Sequence, residues 1–447
     1  MFRPKLFVLN HLARSVFSMN KVVIVSYAFP PVGGVGVQRA TKFVKYLRHF
    51  DWEPIVLTVA NPSAPLVDVA LLQDIPEGVK ILRTITFEPS YAQKKNYSET
   101  KDSSGLNFKP LMKKIFSGLL LPDIQILWWP GLICKLISVI RSEKPQCIFV
   151  TAPPFSSFIP VVAIGSLFKI PVVADFRDEW NFSREQWENS AKNRVARHLD
   201  RVFEKYVVSK CAIVTAATKS YIDSLVFKYN LPSSKCFVIT NGYDESDFQL
   251  KEMPKSAIND EKNIILYAGT AWNGSSLKFF FSALKEIDAI DHGLFNRFRI
   301  QLYGRIVDSE LDHLKQQNLG NLVELNGFVQ HEEIVKTMIQ ASILLLVISD
   351  FPGAEKIIVA KTFEYMATGK HIFAIVPEGE TKRLLSEQYD NVTFAHPGDL
   401  SDIKNQVIKI VSSIDQIVSV RGKYVSQFSR KSLTGQLADV LNKITFK

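Results

Sequence analysis

Closely spaced cysteines are missing from this chain. Its four cysteines, Cys134, Cys147, Cys211 and Cys236, are scattered. That excludes the short Cys/His spacings of a zinc site, argues against a disulfide framework and fits a reducing cytoplasm. Clean apolar runs of the roughly 18 residues that a spanning helix needs are missing too. No Asp-x-Asp stands in a loop suited to a metal-bound diphosphate, so no metal is expected. The glycines that follow strands do not keep the G-x-G-x-x-G spacing, which disfavours a dehydrogenase. Nucleic-acid motifs and internal sequence repeats are absent.

What is present is a chain of 447 residues, long enough for two domains. Hydrophobic residues make up 47% and charged residues 22%, the balance of a folded globular protein. A net charge of +10 asks for an anionic partner. With no nucleic-acid motif, and with the basic residues spread along the chain, anionic lipid and a phosphorylated substrate are the classes that remain. Residues 1–18, MFRPKLFVLNHLARSVFS, are basic and moderately apolar, with His11 and Arg14 interrupting them. They do not read as a signal peptide. They read either as a short amphipathic helix on a membrane surface or as a start codon assigned too early. The strand that begins directly after Met19 favours the second.

The order of the chain is strand, glycine turn, helix, twice over. Lys21–Tyr27 is a buried strand, followed by AFPPVGGVGVQR and a helix carrying Phe43, Val44 and Leu47. Gly33, Gly34 and Gly36 let backbone approach a phosphate or sugar, or simply make a tight turn. Trp52–Val59 is the second strand, and residues 61 to 105 are polar with few apolar repeats. The stretch 110–146 mixes Lys113 and Lys114 with Phe116, Leu119–Leu121, Trp128 and Trp129. It suits a membrane surface, or a core helix pair with packed tryptophans. Cys147–Thr151 is a strand ending in APPFSS, Val161–Phe168 a helix, and Pro171–Ala174 a strand ending in DFRDEWN. Asp175, Arg177 and Asp178 at that strand end either form a structural network or face a ligand. Lys192–Lys210 is a basic helix, Cys211–Ala216 a strand, and 250–263 a charged linker.

The second unit opens at Ile264–Thr270, with Gly269 and Thr270 just past the strand. Phe298–Tyr303 is a strand followed by Gly304 and Arg305, and Val323–Val329 another, ending in Gly327, Phe328 and Val329. His331 reads as a solvated helix-start residue. Leu344–Ile348 leads to the most informative stretch, Glu355–Pro377. Val359, Thr362, Phe363 and Met366 recur at helical spacing, Gly369 stands at a helix C-cap, and His371–Val376 is a buried strand. Lys361 and Glu364 share a helical face. A helix start at Ile357–Val359 beside a lysine makes an anion site, and a glutamate one turn on can accept from two vicinal hydroxyls. Phosphate followed by ribose is a nucleotide diphosphate. The plainer reading, an exposed pair on a helix, uses the same residues. Residues 403 to 447 are helical.

KTFEYMATGKHIFAIVPEGE resembles the donor-site segment of glycosyltransferase family 4, retaining enzymes of the GT-B fold. Tyr27–Arg39 is similar to the opening of many of its members, 175–180 to its Asp-x-Arg-Asp-x-Trp stretch, and Pro122, Asp123 and Trp128 to a Pro-Asp-x(4)-Trp signature. The resemblance covers nearly the whole chain past Met19. It implies two doubly wound α/β domains facing across a cleft: 19–249 on the acceptor side and 264–415 binding the nucleotide sugar. Helices in 416–447 follow, the last crossing back to the first domain.

It also implies site roles. Glu364 holds the donor ribose; Gly33, Gly34, Gly269, Thr270, Arg305, Ile358, Val359 and Lys361 surround the donor phosphates; and the Gly327–Phe328–Val329 turn meets the base. Gly36, Gln38 and Arg39 lie on the acceptor side. Asp175, Arg177 and Asp178 line it, one carboxylate positioning or deprotonating the acceptor. With Lys361 these three are the expected catalytic set.

The chain departs from the pattern in three places. His371 replaces a proline, Lys356 stands where a second glutamate is usual (with Glu355 one step away), and no arginine follows Thr270, leaving Lys278 or Arg305 to substitute. The function implied is retaining, metal-independent hexosyl transfer from a nucleotide-diphosphate sugar, with no cofactor. The acceptor is a saccharide or lipid-linked saccharide in capsule, exopolysaccharide or O-antigen assembly, handled in the cytoplasm or at the inner face of the membrane. A nucleotide-sugar epimerase of the same fold and a non-catalytic partner subunit are the other readings.

Overall fold

The computed structural model describes residues 19–64, 67–91, 93, 121–180, 194–248, 263–416 and 425–445. The 1–18 extension, Lys113, Lys114, Phe116, Leu119, Leu120 and all but the end of the 250–263 linker lie outside the described residues.

The first sheet has seven strands: β1 Asn20–Ser26, β2 Trp52–Val59, β3 Lys80–Thr84, β4 Cys147–Ala152, β5 Val172–Phe176, β6 Ile213–Ala216 and β7 Cys236–Val238. Their order is β3-β2-β1-β4-β5-β6-β7. β1 pairs in parallel with β2 and β4, placing Val23 between Ile55 and Ile148. Val22–Val25 are fully buried, as expected of a central strand covered on both faces. Helices α1 Val35–Tyr46, α2 Trp129–Glu143, α3 Phe158–Phe168, α4 Arg194–Lys210 and α5 Lys219–Tyr229 connect these strands.

The second sheet has six strands: β8 Asn263–Ala268, β9 Phe298–Tyr303, β10 Val323–Gly327, β11 Ile343–Val347, β12 His371–Ile375 and β13 Val392–Ala395, ordered β10-β9-β8-β11-β12-β13. Its helices are α6 Lys278–Ile290, α7 Asp308–Gln317, α8 His331–Gln340, α9 Lys361–Thr368, α10 Glu380–Gln388 and α11 Leu400–Ser412; α12 Arg430–Thr445 ends the described chain. Both sheets reverse direction after their first strand, so each has a switch point there, where loops at the strand C-termini diverge and ligands bind.

The chain forms two compact units, neither of them a continuous stretch. One comprises 1–215, 229–237 and 434–447; the other comprises 216–228 and 238–433. In the first unit, Trp52 donates its indole N–H to Asn442 Oδ1 on α12 (3.0 Å).

Two expectations change. Strand β3 falls in the stretch read as polar and unpatterned. Its residues KILRT sit at the sheet edge, half-buried or exposed, so they carry no apolar run. Among the described residues, Ile124–Glu143 is long and apolar enough to cross a membrane by length and composition, with mean hydropathy 1.3. In the fold it packs: Leu132, Leu136, Val139 and Ile140 are buried. Trp128 is fully buried and donates to Thr84 Oγ1 (2.7 Å), and Trp129 donates to the Ser156 carbonyl (2.9 Å). For these two tryptophans the packed arrangement holds.

Candidate functional site

In the second unit, the expected donor-side residues Lys361 and Gly269 lie at the switch point, where β8 and α9 meet. Helix α9 stops at Gly369, whose φ of +72° needs no Cβ. At its other end no side chain caps the first turn; Thr362 N donates to the Val359 carbonyl (3.0 Å) and Phe363 N to the Ala360 carbonyl (3.2 Å). Lys361 opens the helix and reaches back to β8. Its Nζ lies over the Tyr267 ring, 4.0 Å from the centroid, and 3.3 Å from where a Cβ on Gly269 would stand. Lys361 makes no hydrogen bond or salt bridge among the described residues. Burial pulls its pKa down to about 7, against the charge of Glu364, which raises it. Tyr365 locks the helix to the strand, its hydroxyl accepting from Ala268 N at 3.0 Å. Glu364 is half-buried in the first turn, one helical row from Lys361. Ile358 is buried and Val359 half-buried just before the helix.

Three glycines join the loops that follow β8, β9 and β10. Gly269, Gly304 and Gly327 all have positive φ, at 140°, 108° and 65°. Gly269 N donates to the Tyr303 carbonyl (2.9 Å), and Gly304 N to the Gly327 carbonyl (2.6 Å). A side chain on Gly304 would collide with the Gly269 carbonyl. Arg305 therefore stands one residue from the backbone that borders Lys361. It is exposed, and its guanidinium has no partner among the described residues. Thr270 is exposed and its carbonyl accepts from Tyr267 (2.9 Å). Phe328 is 61% exposed beyond Gly327, with Val329 half-buried beside it.

Between the two candidate substitutes for the missing arginine, the geometry separates them. The start of α6, where Lys278 lies, already holds an anion. Buried Glu310 accepts from Leu277 N (2.8 Å) and Ser276 Oγ (2.7 Å). Glu355 turns back on its own loop and accepts from Gly353 N at 2.8 Å. His371 ties two strands together through Asn391 (2.8 Å) and Thr393 (3.0 Å). His331 pairs with Asp247 at 3.0 Å. An open depression of about 410 Å³ near Glu355, Glu378, Glu380 and Arg383 includes neither Lys361 nor Glu364.

In the first unit, Asp175 is fully buried. One oxygen accepts from Arg39 Nη2 (2.7 Å) and Thr215 (2.7 Å), the other from Arg39 Nε (2.9 Å) and Thr151 (2.7 Å). Burial pushes this carboxyl up, but Arg39's charge and these hydrogen bonds together hold it below the usual range. These four hydrogen bonds occupy both oxygens, and Arg39, 1% exposed, is the ion-pair partner of Asp175. Asp175 and Arg39 thus form an Asp–Arg network, one of the two readings of the cluster.

Arg177 is half-buried and donates to the carbonyls of Ala152, Gly36 and Pro153. It pins the glycine turn after β1 to the loop after β4, which makes it a positioning group. A Cβ on Gly36 would lie 3.2 Å from that guanidinium. Trp180 anchors the segment by stacking on Phe155, centroids 4.9 Å apart. Asp178 differs from its neighbours. It keeps some exposure, makes no hydrogen bond among the described residues, and burial raises its pKa against the pull of Arg177 and Arg39. Gly33 and Gln38 are half-buried, and Gly34, φ +103°, is exposed at the start of α1.

Sequence reasoning missed Tyr267 and Tyr365, both fully buried. It also missed a polar cluster near the C-terminal ends of β1 and β3, where Tyr27 bonds Glu88 and Gln125 donates to Glu88 at 2.9 Å. No spacing rule marks either set, because the partners are far apart in the sequence.

No family model and no curated protein matches the chain. Solved structures do. The Anabaena protein Alr3699/HepE in complex with UDP is 14% identical, with TM-score 0.63, covering 95% of this chain and 100% of that one. The chain has the GT-B fold. A glycosyltransferase from Rickettsia africae matches with TM-score 0.63 and 14% identity over 96% and 99% of the two chains. A UDP-N-acetylglucosamine 2-epimerase matches with TM-score 0.53 and 11% identity over 96% and 97%.

Proposed function

We propose that this GT-B chain is a retaining glycosyltransferase that moves a hexosyl group from a nucleotide-diphosphate sugar. The observation that carries the reading is Lys361: a half-buried lysine without an acid partner in hydrogen-bond contact, at a helix start without a side-chain cap, beside Gly269. Lys361, Arg305 and the first turn of α9 receive the diphosphate and neutralise the charge that grows on it as the glycosidic bond breaks. They do this without a metal. Glu364 accepts from the ribose hydroxyls, and Gly327–Val329 faces the base. A uridine nucleotide is the first choice, since structures of the same fold hold UDP and UDP-glucose.

On the first unit, the backbone of Gly33–Gly36, Gln38 and Asp178 form the acceptor side. Asp178 orients the acceptor hydroxyl or takes its proton, a task suited to a carboxylate of raised basicity. Retention then follows from front-face attack within an ion pair. The acceptor is a saccharide or lipid-linked saccharide in surface-polysaccharide assembly, at the inner membrane surface. A nucleotide-sugar epimerase is the second reading, favoured by the epimerases of like fold; it would release an altered sugar with no acceptor present.

Thermal unfolding against a panel of nucleoside diphosphates and their sugars tests the donor site. Binding to the folded state alone raises the midpoint by linkage. One base is expected to shift it, and Glu364→Ala to lose most of that shift while unfolding normally without ligand. No shift with any nucleotide overturns the reading and leaves a non-catalytic subunit.

A further inference from the structure

Helix α4 presents two parallel rows to solvent. Arg194, His198, Arg201 and Lys205 follow at spacings of four, three and four, which places them on one line along the helix. All four side chains face out. Beside that line run Val195 and Val202, 66% and 47% exposed. The helix has two carboxylates and hides both: Asp200 is fully buried near the Trp180 indole (3.4 Å), and Glu204 accepts from Tyr229 (2.6 Å). The outer face therefore carries no negative charge of its own. Arg194, Arg201 and Lys205 have no acid partner among the described residues.

We infer that the outer face of α4 is a docking surface for an anionic lipid bilayer. The cationic row complements acidic headgroups, and the valine row supplies apolar contact at the headgroup boundary. The valines are what favour lipid over nucleic acid. A single-stranded ligand would use stacking aromatics, and none is exposed on this face. The inference deepens the reading of the acceptor as lipid-linked and rests on it for its purpose, but vesicle binding requires neither donor nor acceptor.

The test is co-sedimentation of the full chain with phosphatidylcholine vesicles, with and without phosphatidylglycerol. Binding is expected only to the acidic vesicles and is expected to weaken as salt rises from about 0.1 to about 0.5 M. Arg201→Gln with Lys205→Gln should weaken it about 25-fold, about fivefold per cation. Val195→Ser with Val202→Ser should weaken it about tenfold. Both double variants should unfold at the wild-type temperature, since these side chains are outward. Undiminished vesicle binding by the cation variant overturns the inference. So does wild-type protein that binds heparin or RNA but ignores acidic vesicles. The nucleotide shift, measured on the same preparations, reports on the donor site separately.

Discussion

Lys361 Nζ sits 4.0 Å above the centre of the Tyr267 ring, the face of a buried phenol standing where a counter-ion would be expected. The ring face offers only a weak partner, so burial outweighs it and pulls the lysine's pKa down to about 7. A bound diphosphate changes that, because its charge favours the ammonium form.

The first prediction concerns pH. With a free-protein pKa of about 7, Lys361 is mostly charged below pH 7 and mostly neutral above it. The bound diphosphate raises that pKa, so binding takes up a proton once pH exceeds 7. Donor affinity should be flat below pH 7 and fall about tenfold per unit above it. Calorimetry with a diphosphate sugar, whose phosphates do not titrate near neutrality, measures this. Lys361→Met should bind weakly and without the slope.

The same residue predicts a stability gain. Its folded pKa lies below the ordinary lysine value, so the charged form is disfavoured in the folded state. That cost is complete below pH 7 and fades as pH rises toward the ordinary value near 10. Lys361→Met should therefore be more stable to unfolding than wild type without ligand, by about 1–2 kcal/mol, and most clearly at pH 6, where its midpoint is higher. A lower midpoint at pH 6 would contradict the assignment.

Asp175 and Asp178 should separate cleanly. Asp175→Asn leaves the Arg39 charge buried without its partner, and a loss of about 3–5 kcal/mol is expected. Asp178→Asn should keep the unfolding midpoint or raise it slightly, since burial disfavours the charged carboxyl, and lower turnover about 100-fold or more. Denaturation and initial-rate measurements on the two variants give the comparison.

Gly304 and Gly327 make a matched pair. Both hold positive φ, but a Cβ at Gly304 meets the Gly269 carbonyl, while one at Gly327 meets nothing. Gly304→Ala should lose donor affinity and several kcal/mol of stability. Gly327→Ala should cost about 1–2 kcal/mol from backbone strain alone.

Most of the architecture was legible because central parallel strands announce themselves. Val22–Val25, Ile148–Val150 and Leu344–Leu346 are continuous apolar runs buried on both faces. β3 lacked that signal, being an edge strand with Lys80 and Arg83 in it. At the site, the Lys361–Glu364 spacing was readable because it is local. The role of Asp175 was not, because a carboxylate at a strand end looks the same whether it meets a ligand or Arg39, which is 136 positions away. The tyrosine beneath Lys361 was hidden for the same reason.

The interleaving of the two units bears on how the protein can be taken apart. Residues 434–445 complete the unit that holds most of the N-terminal half, with Leu437 and Leu441 fully buried and Asn442 receiving the Trp52 indole. A gene split near residue 250 thus strands a greasy helix on the wrong fragment and leaves a matching groove open on the other. Expressed apart, the halves should be poorly soluble; expressed together, that helix is the handle by which they find each other, as in a split-protein reporter.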